Sequence, residues 1–176
     1  MKQELLKIMK ERRSVRSYKK DLMIPEDVLQ EILETATYAP TGGGRQSPVI
    51  IAVTDKTMRD HIAHLNAKIM GDENADPFYG APVILVVLAN KAVPTHVYDG
   101  SLVMGNLMNA AESLGVASIW IHRAKEEFES DFGKKILADL GIQGEYEGIG
   151  HCALGYAAEP AKEATARKEN YVYYVR

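Results

Sequence analysis

The sequence has a single cysteine, Cys152, among its 176 residues. One cysteine cannot form a disulfide within the chain, and such usage fits a reducing compartment. Cys152 lies between apolar neighbours in the run HCALGY, which predicts a small buried side chain.

Long apolar stretches are also missing. No run approaches the roughly 20 apolar residues that span a bilayer, and the N-terminal MKQELLKIMKERR lacks the apolar centre of a signal peptide. We therefore expect a cytoplasmic protein that has no membrane partner.

A strong charge of either sign is absent. The chain has 21 Lys and Arg against 24 Asp and Glu, a formal net charge of -3, so a general affinity for nucleic acid or anionic membranes is not expected. Repeats and low-complexity tracts are absent too. A chain of this length with 46% hydrophobic residues predicts one domain, residues 1–176.

One local segment is strongly basic. The run RRSVRSY places Arg12, Arg13, Ser14 and Arg16 close together after an amphipathic stretch. Arginine presents a fork of donors that matches phosphate oxygens, and a serine hydroxyl adds another donor. The segment indicates a phosphate site, and the alternative is a solvated basic helix end.

The hydrophobic pattern alternates between helical and extended periods. It predicts helices over 2–13, from Pro25 until Tyr38, and over 55–70, 98–114 and 125–140, the last with a break at Gly133. It predicts buried strands over 49–54, 82–88, 117–121 and 149–156. The helix over 98–114 is apolar on much of its circumference, which favours a buried position.

The C-terminal tail, residues 158–176, is polar and then β-prone at YVYYV. Its length beyond the last predicted core strand suggests that it reaches across another surface. The simplest such surface is a second subunit.

A glycine-rich loop, TGGGRQSP, lies between a predicted helix and a predicted strand. Bare backbone at Gly42 and Gly43 can approach a flat ligand, although such triplets also serve as plain flexible turns. No Gly-Lys-Ser/Thr follows and the loop precedes a strand, which excludes a nucleotide-phosphate loop and a dinucleotide fingerprint.

Two histidines, His61 and His64, lie three residues apart on one predicted helix. That spacing can bind a metal, but no third ligand stands in a recognisable motif. We expect no metal site.

Five motifs together resemble the nitroreductase family of FMN-dependent oxidoreductases. They are RRSVRSY, APTGGGRQSP, DPFYGAPVILVV, NLMNAAESLGVASIWI, and ALGY followed by the basic pair Arg167 and Lys168. The resemblance implies an α+β fold with three α/β/α layers around a mixed, mainly antiparallel sheet. It also implies a homodimer in which the C-terminal tail extends over the partner subunit.

The resemblance further assigns a cofactor site. It implies that Arg12, Ser14 and Arg167 bind the FMN phosphate, that Arg16 lies near the pyrimidine end of the flavin, and that the loop from Thr41 to Gln46 packs on the flavin of the partner subunit. The whole predicted cofactor-binding set is Arg12, Arg13, Ser14, Arg16, Thr41, Gly42, Gly43, Gln46, Asn66, His122, Gly150 and Arg167. Tyr79 and Trp120 are aromatic candidates for the pocket.

The implied function is electron transfer from NADH or NADPH to nitroaromatic, quinone or similar acceptors by a ping-pong mechanism. A permanent cation such as Arg16 would stabilise the negative charge of a reduced flavin, and no catalytic acid or base side chain is predicted. Two alternatives stay open. One is a flavin-binding carrier or sensor that catalyses no turnover, and the other is a protein that binds some other phosphorylated ligand.

Overall fold

The computed structural model describes residues 2–176, and within them the chain forms six α-helices and four β-strands. The helices are α1 (Lys2–Glu11), α2 (Glu26–Thr37), α3 (Lys56–Met70), α4 (His96–Ser113), α5 (Ala124–Glu129) and α6 (Asp131–Asp139). The strands are β1 (Pro48–Val53), β2 (Val83–Asn90), β3 (Ala117–Ile121) and β4 (Tyr146–Gly155).

The four strands make one sheet in the order β1-β2-β4-β3, and every neighbouring pair is antiparallel. A parallel bridge joins Ser14 to Ser118 at the outer side of β3. The predicted α+β fold with a mainly antiparallel sheet is confirmed.

Two apolar cores lie on the two faces of the sheet. One face packs against α2 and α4 through side chains such as Leu85 and Leu107, and the other packs against α3 and α5 through side chains such as Ile84 and Phe128. Because both faces of β2 are covered, its sequence is a nearly continuous apolar run. The predicted three-layer α/β/α architecture follows from this arrangement.

The lone cysteine belongs to the first of these cores. Cys152 is fully buried on β4, as predicted, and burial raises the pKa of its thiol to about 12. A thiol in that environment stays protonated and unreactive at neutral pH.

Two predicted elements differ from the structure. Strand β1 was expected to be buried, but it is an edge strand in which only Val53 is buried. The break between the last two helices falls at Ser130 instead of Gly133, because the Ser130 hydroxyl accepts a hydrogen bond from the Gly133 N–H at 3.3 Å and begins a new helix. A Cβ at Gly133 would collide with the backbone of Glu127 and Phe128.

The tail over 158–176 is exposed along its length, with a short 3-10 turn at Glu169–Tyr171. The Ala158 N–H donates to the carbonyl of Ser17 at 3.0 Å, which fixes the start of the tail. The β-prone YVYYV segment forms no strand in this chain. Its contact with a second subunit stays a prediction.

Among residues 2–176, no helix has both the length and the apolar character needed to cross a membrane.

Candidate functional site

The larger of two adjoining cavities lies between the segment after α1 and the tail. Its volume is about 1150 Å³, and its walls are residues 9, 10 and 12–17 on one side and 159–167 on the other. The predicted phosphate-binding residues Arg12, Arg13, Ser14 and Arg167 all line it, together with Arg16. The fold thus brings together two basic segments that are about 150 residues apart in sequence.

The basic segment is fixed at both ends. The Arg13 Nη1 donates to the carbonyls of Lys10 and Arg12, both at 2.7 Å, and so caps the end of α1. Beyond it, the Val15 N–H donates to the Ser118 carbonyl at 3.1 Å. The buried Tyr18 hydroxyl donates to the carbonyl of Ala153 at 3.3 Å, and burial holds the pKa of this phenol above its ordinary value.

Two guanidinium donors of this segment are buried without an acceptor among residues 2–176. They are Nη1 of Arg12 and Nε of Arg13. Buried donors are nearly always hydrogen-bonded, and an unpaired one costs about 1 to 3 kcal/mol. An anion in the larger cavity would satisfy these donors, and a phosphate has the geometry that arginine prefers.

The smaller cavity, of about 320 Å³, shares Arg16 with the larger one. Tyr79, Trp120 and His122 line it, so both aromatic candidates and the predicted histidine lie at one pocket. Met70, Asp76 and Arg123 also contribute to its walls.

Two residues of this smaller cavity have strained backbones. Among residues 2–176, the non-glycine residues with positive φ are Gln46, Tyr79 and Arg123, and the last two line the smaller cavity. A left-handed conformation costs a non-glycine residue about 1 to 2 kcal/mol. Such strain concentrates at functional sites, where the surrounding structure fixes it.

The carboxylate of Asp76 fixes the loop that carries Tyr79. It accepts hydrogen bonds from the Gly80 N–H at 2.8 Å and the Phe78 N–H at 3.0 Å, and it pairs with Arg59 at 2.7 Å. Three such interactions hold the strained turn in place.

Asn66 lies on α3, as predicted, and its side chain is engaged within the protein. It is fully buried behind the wall of the smaller cavity and does not line either cavity. Its Nδ2 donates to the His122 carbonyl at 2.9 Å and to the Glu127 carboxylate, and its Oδ1 accepts from Arg123 Nε at 2.8 Å. The amide supports the backbone of His122 and the side chain of Arg123, and its contact with the flavin stays a prediction.

Gly150 likewise lies outside both cavities. A Cβ at this buried position would collide with the indole of Trp120. The absence of a side chain makes room for Trp120, whose Nε1 is buried without a partner among residues 2–176. Gly150 thus supports the position of a cavity side chain, and its contact with the cofactor stays a prediction.

Residues of the glycine-rich loop line neither of the two cavities. Buried Asp99 anchors it by accepting from the Gly42 N–H at 2.9 Å and the Ser47 hydroxyl at 2.6 Å. Burial alone would raise the pKa of Asp99, but these hydrogen bonds outweigh it and hold the pKa below its ordinary value.

In the loop from Thr41 to Gln46, Gly43 and the three residues after it are exposed, and the Gln46 N–H donates to the Thr41 hydroxyl at 3.0 Å. The role of this loop at the partner's flavin stays a prediction.

Sequence reasoning missed Arg123 and the buried pair of Glu127 with His151. Nε2 of His151 lies 2.7 Å from Oε2 of Glu127. The position of Arg123 between a strand and a helix carried a signal, since binding and catalytic residues are found disproportionately in such connecting segments. The pairing of Glu127 with His151 depends on tertiary contacts that no local pattern encodes.

The histidines considered for metal binding, His61 and His64, are both exposed on α3. Across residues 2–176, no three potential metal-ligating side chains come together in one group.

The fold and the two cavities define an α+β protein with an arginine-rich cavity beside an aromatic-lined one. The model of the Nitroreductase family matches residues 9–156. The chain belongs to the nitroreductase family.

Similar proteins include two solved structures described as nitroreductases with bound FMN. The one from Bacteroides fragilis is 27% identical with a TM-score of 0.89, and the match covers 98% of this chain and 99% of that chain. The one from Desulfitobacterium hafniense is 28% identical with a TM-score of 0.85, and the match covers 98% of each chain.

A curated relative from Methanothermobacter thermautotrophicus carries the name "Putative NADH dehydrogenase/NAD(P)H nitroreductase". It is 28% identical over 128 residues, which are 68% of this chain. The match spans only 61% of the relative's own length.

Proposed function

We propose that this protein binds FMN and transfers electrons from NADH or NADPH to nitroaromatic, quinone or similar acceptors by a ping-pong mechanism. The FMN-bound relatives support the cofactor, and the name of the archaeal relative supports the electron donor. The observation that carries the proposal is the larger cavity, in which a buried Arg12 donor lacks an acceptor beside Ser14 and Arg167.

The residues present fit the FMN phosphate. Arg12 and Arg167 supply positive charge from two segments of the chain, and the exposed Ser14 supplies a hydroxyl between them. Arg13 contributes its buried Nε, while its Nη1 caps α1. A phosphate would satisfy donors that are otherwise buried at a cost.

Arg16 lies where the two cavities meet. FMN, when bound, supplies reversible two-electron chemistry, taking a hydride from the nicotinamide and passing the electrons to an acceptor. The permanent charge of Arg16 favours a negatively charged reduced cofactor. Tyr79 and Trp120 give the smaller cavity flat apolar walls on which an aromatic ring can pack.

We include a homodimer in the proposal. Three apolar side chains of α1, Leu5, Leu6 and Met9, are exposed, and so are the aromatic residues near the C-terminus. Grouped exposed apolar side chains are typical of protein interfaces. A tail that packs on a partner subunit would cover both sets, and the single unpaired cysteine supports a cytoplasmic location.

The visible absorption spectrum of the purified protein, recorded before and after anaerobic addition of NADH or NADPH, tests the proposal. We expect flavin bands that bleach within seconds and return when a quinone or nitroaromatic acceptor is added.

Flavin bands that persist would contradict an oxidoreductase and favour a flavin-binding carrier or sensor. A preparation that stays colourless after incubation with FMN would contradict the cofactor and favour another phosphorylated ligand.

A further inference from the structure

A short strained segment forms one wall of the smaller cavity. It is the junction of His122 and Arg123, which connects β3 to α5 and lines the cavity with both residues. Arg123 has a φ of 78° and a ψ of 6°, a conformation that a non-glycine residue keeps only where its surroundings hold it. The groups that hold this junction therefore determine the shape of that wall.

Three hydrogen bonds hold the junction, and all of them lead to Asn66 or Glu127. Nδ2 of Asn66 donates to the His122 carbonyl at 2.9 Å, and Oδ1 of Asn66 accepts from Arg123 Nε at 2.8 Å. The Glu127 N–H donates to the Arg123 carbonyl at 3.1 Å. The side chain of Asn66 thus binds both residues of the junction.

Glu127 determines which way the Asn66 amide faces. A carboxylate only accepts hydrogen bonds, so Asn66 presents its NH2 group to Oε1, and His151 donates through Nε2 to Oε2 at 2.7 Å. Oδ1 of Asn66 is then left to accept from Arg123. A flipped amide would place its oxygen against the carboxylate and its NH2 group against the Arg123 donor.

Water cannot take the place of these partners. Asn66, Glu127 and His151 are each at most 1% exposed. In such a buried network, the loss of one acceptor leaves its donors unpaired. The junction therefore depends on a side chain that is itself hidden behind the cavity wall.

We propose that Glu127 is a positioning residue for the flavin ring, and that it acts through Asn66 to hold the His122–Arg123 junction in the conformation that receives the ring. The predicted flavin contacts Arg16 and His122 line the smaller cavity, which makes this cavity the place for the ring. Glu127 lines neither cavity, so its effect on the flavin is indirect. This inference rests on the proposed function, because it names a residue that FMN binding needs outside the contact surface.

Binding of FMN and of riboflavin, measured by fluorescence titration, tests the inference. Riboflavin has the ring without the phosphate, so a change at the smaller cavity should weaken both ligands equally. Glu127→Leu has a side chain of similar size that accepts no hydrogen bond. We expect it to bind both ligands about tenfold more weakly, as for the loss of one hydrogen-bonded contact.

Glu127→Gln is the conservative variant that should restore binding. Its amide oxygen can accept from Asn66, and its NH2 group can donate to Nε2 of His151 when the imidazole proton is on Nδ1. This tautomer breaks no other hydrogen bond, because Nδ1 of His151 is buried without a partner among residues 2–176. We expect both affinities to stay close to those of the wild type.

The matched control for stability is Phe128→Leu. Phe128 is buried on the same helix and lines neither cavity. The smaller side chain loosens the core without removing a hydrogen bond. This variant should lower the urea midpoint, as Glu127→Leu does, but leave both affinities unchanged.

A second readout needs no flavin. Amide hydrogen exchange of the FMN-free protein reports local opening at the peptide that contains His122 and Arg123. We expect faster exchange there in Glu127→Leu, and exchange like that of the wild type in Glu127→Gln and Phe128→Leu.

Four results would overturn the inference. They are wild-type affinities or unchanged exchange in Glu127→Leu, an equal loss of affinity in Phe128→Leu, an equal loss in Glu127→Gln, and a loss that affects FMN but not riboflavin. A wild type that binds neither FMN nor riboflavin would overturn the proposed function and this inference with it. That failure is recognised before any variant is compared.

Discussion

The two cavities have one arginine in common, but their walls are held in different ways. The larger cavity is closed on one side by tail residues 159–167, which are exposed. Among residues 2–176, the Arg167 side chain hydrogen-bonds only within the tail, to the Thr165 carbonyl. The smaller cavity is backed by the fully buried network of Asn66, Glu127 and His151. The difference indicates that the smaller cavity is preformed, while the tail wall of the larger cavity is not fixed by a buried network.

The largest expected effect on stability comes from disrupting the buried network of Asn66, Glu127 and His151 behind the smaller cavity. Glu127→Ala removes the partner of His151 and of the Asn66 amide in a region without water access. We expect the free energy of unfolding to fall by about 3 to 5 kcal/mol, because two buried polar groups lose their partner. Urea unfolding of the FMN-free protein measures this loss.

The control for this change is Glu126→Ala, one residue away on the exposed side of α5. It should alter the stability by no more than about 0.5 kcal/mol. Equal effects of the two variants would show that the buried network does not stabilise the fold.

Deletion of residues 158–176 tests the role of the exposed tail, which forms one wall of the larger cavity. It removes Arg167 and one side of the anion site but none of the buried core. We expect about a hundredfold weaker FMN binding and loss of the dimer, with little change in the stability of the monomer. Analytical ultracentrifugation and FMN titration check the two parts.

A shorter deletion, of residues 171–176, retains Arg167 and serves as the control for FMN binding. A protein that lacks 158–176 and still binds FMN tightly as a dimer would contradict the role given to the tail.

The glycine-rich loop combines features of both cavity walls. It is exposed at its tip, like the tail, but the buried carboxylate of Asp99 holds it in place. Since the pKa of Asp99 is lowered in the folded state, its ionised form stabilises the fold above the ordinary carboxyl pKa, and this contribution is lost as the pH falls through the folded pKa. Asp99→Asn should therefore lower stability by about 1 kcal/mol near pH 6, and its effect should shrink as the pH falls below the ordinary carboxyl pKa.

Urea unfolding of the wild type and Asp99→Asn across this pH range measures the difference. Asp27→Asn, an exposed carboxylate in the first turn of α2, is the control. A difference between wild type and Asp99→Asn that stayed constant with pH would rule out an ionised Asp99 as the anchor.

The three layers were predicted from the family resemblance, whereas the sequence pattern was sufficient to predict the order of helices and strands and the arginine segment. These features depend on local periodicity and on residues next to each other in the chain, such as Arg12 and Ser14. The family resemblance assigned Arg167 to the same phosphate as Arg12 and Ser14, and the structure places all three residues at the same cavity.

The buried hydrogen-bond network behind the smaller cavity could not be predicted from the sequence. Asn66, Glu127 and His151 meet only because α3, α5 and β4 pack together, and the hydrogen bonds join residues 24 or 61 positions apart. The left-handed backbone of Arg123 depends on the same packing. Side-chain amphipathicity does not distinguish such buried polar groups from ordinary surface residues.

The central claim is that Arg12 belongs to a site for the FMN phosphate. It is tested most directly by the dissociation constants of FMN and riboflavin, measured by fluorescence titration for the wild type and Arg12→Ala. We predict that Arg12→Ala weakens FMN binding about ten- to hundredfold, the effect of losing a charge-assisted contact, and leaves riboflavin binding unchanged. Equal affinities of FMN for the two proteins, or an equal loss for FMN and riboflavin, would contradict the claim.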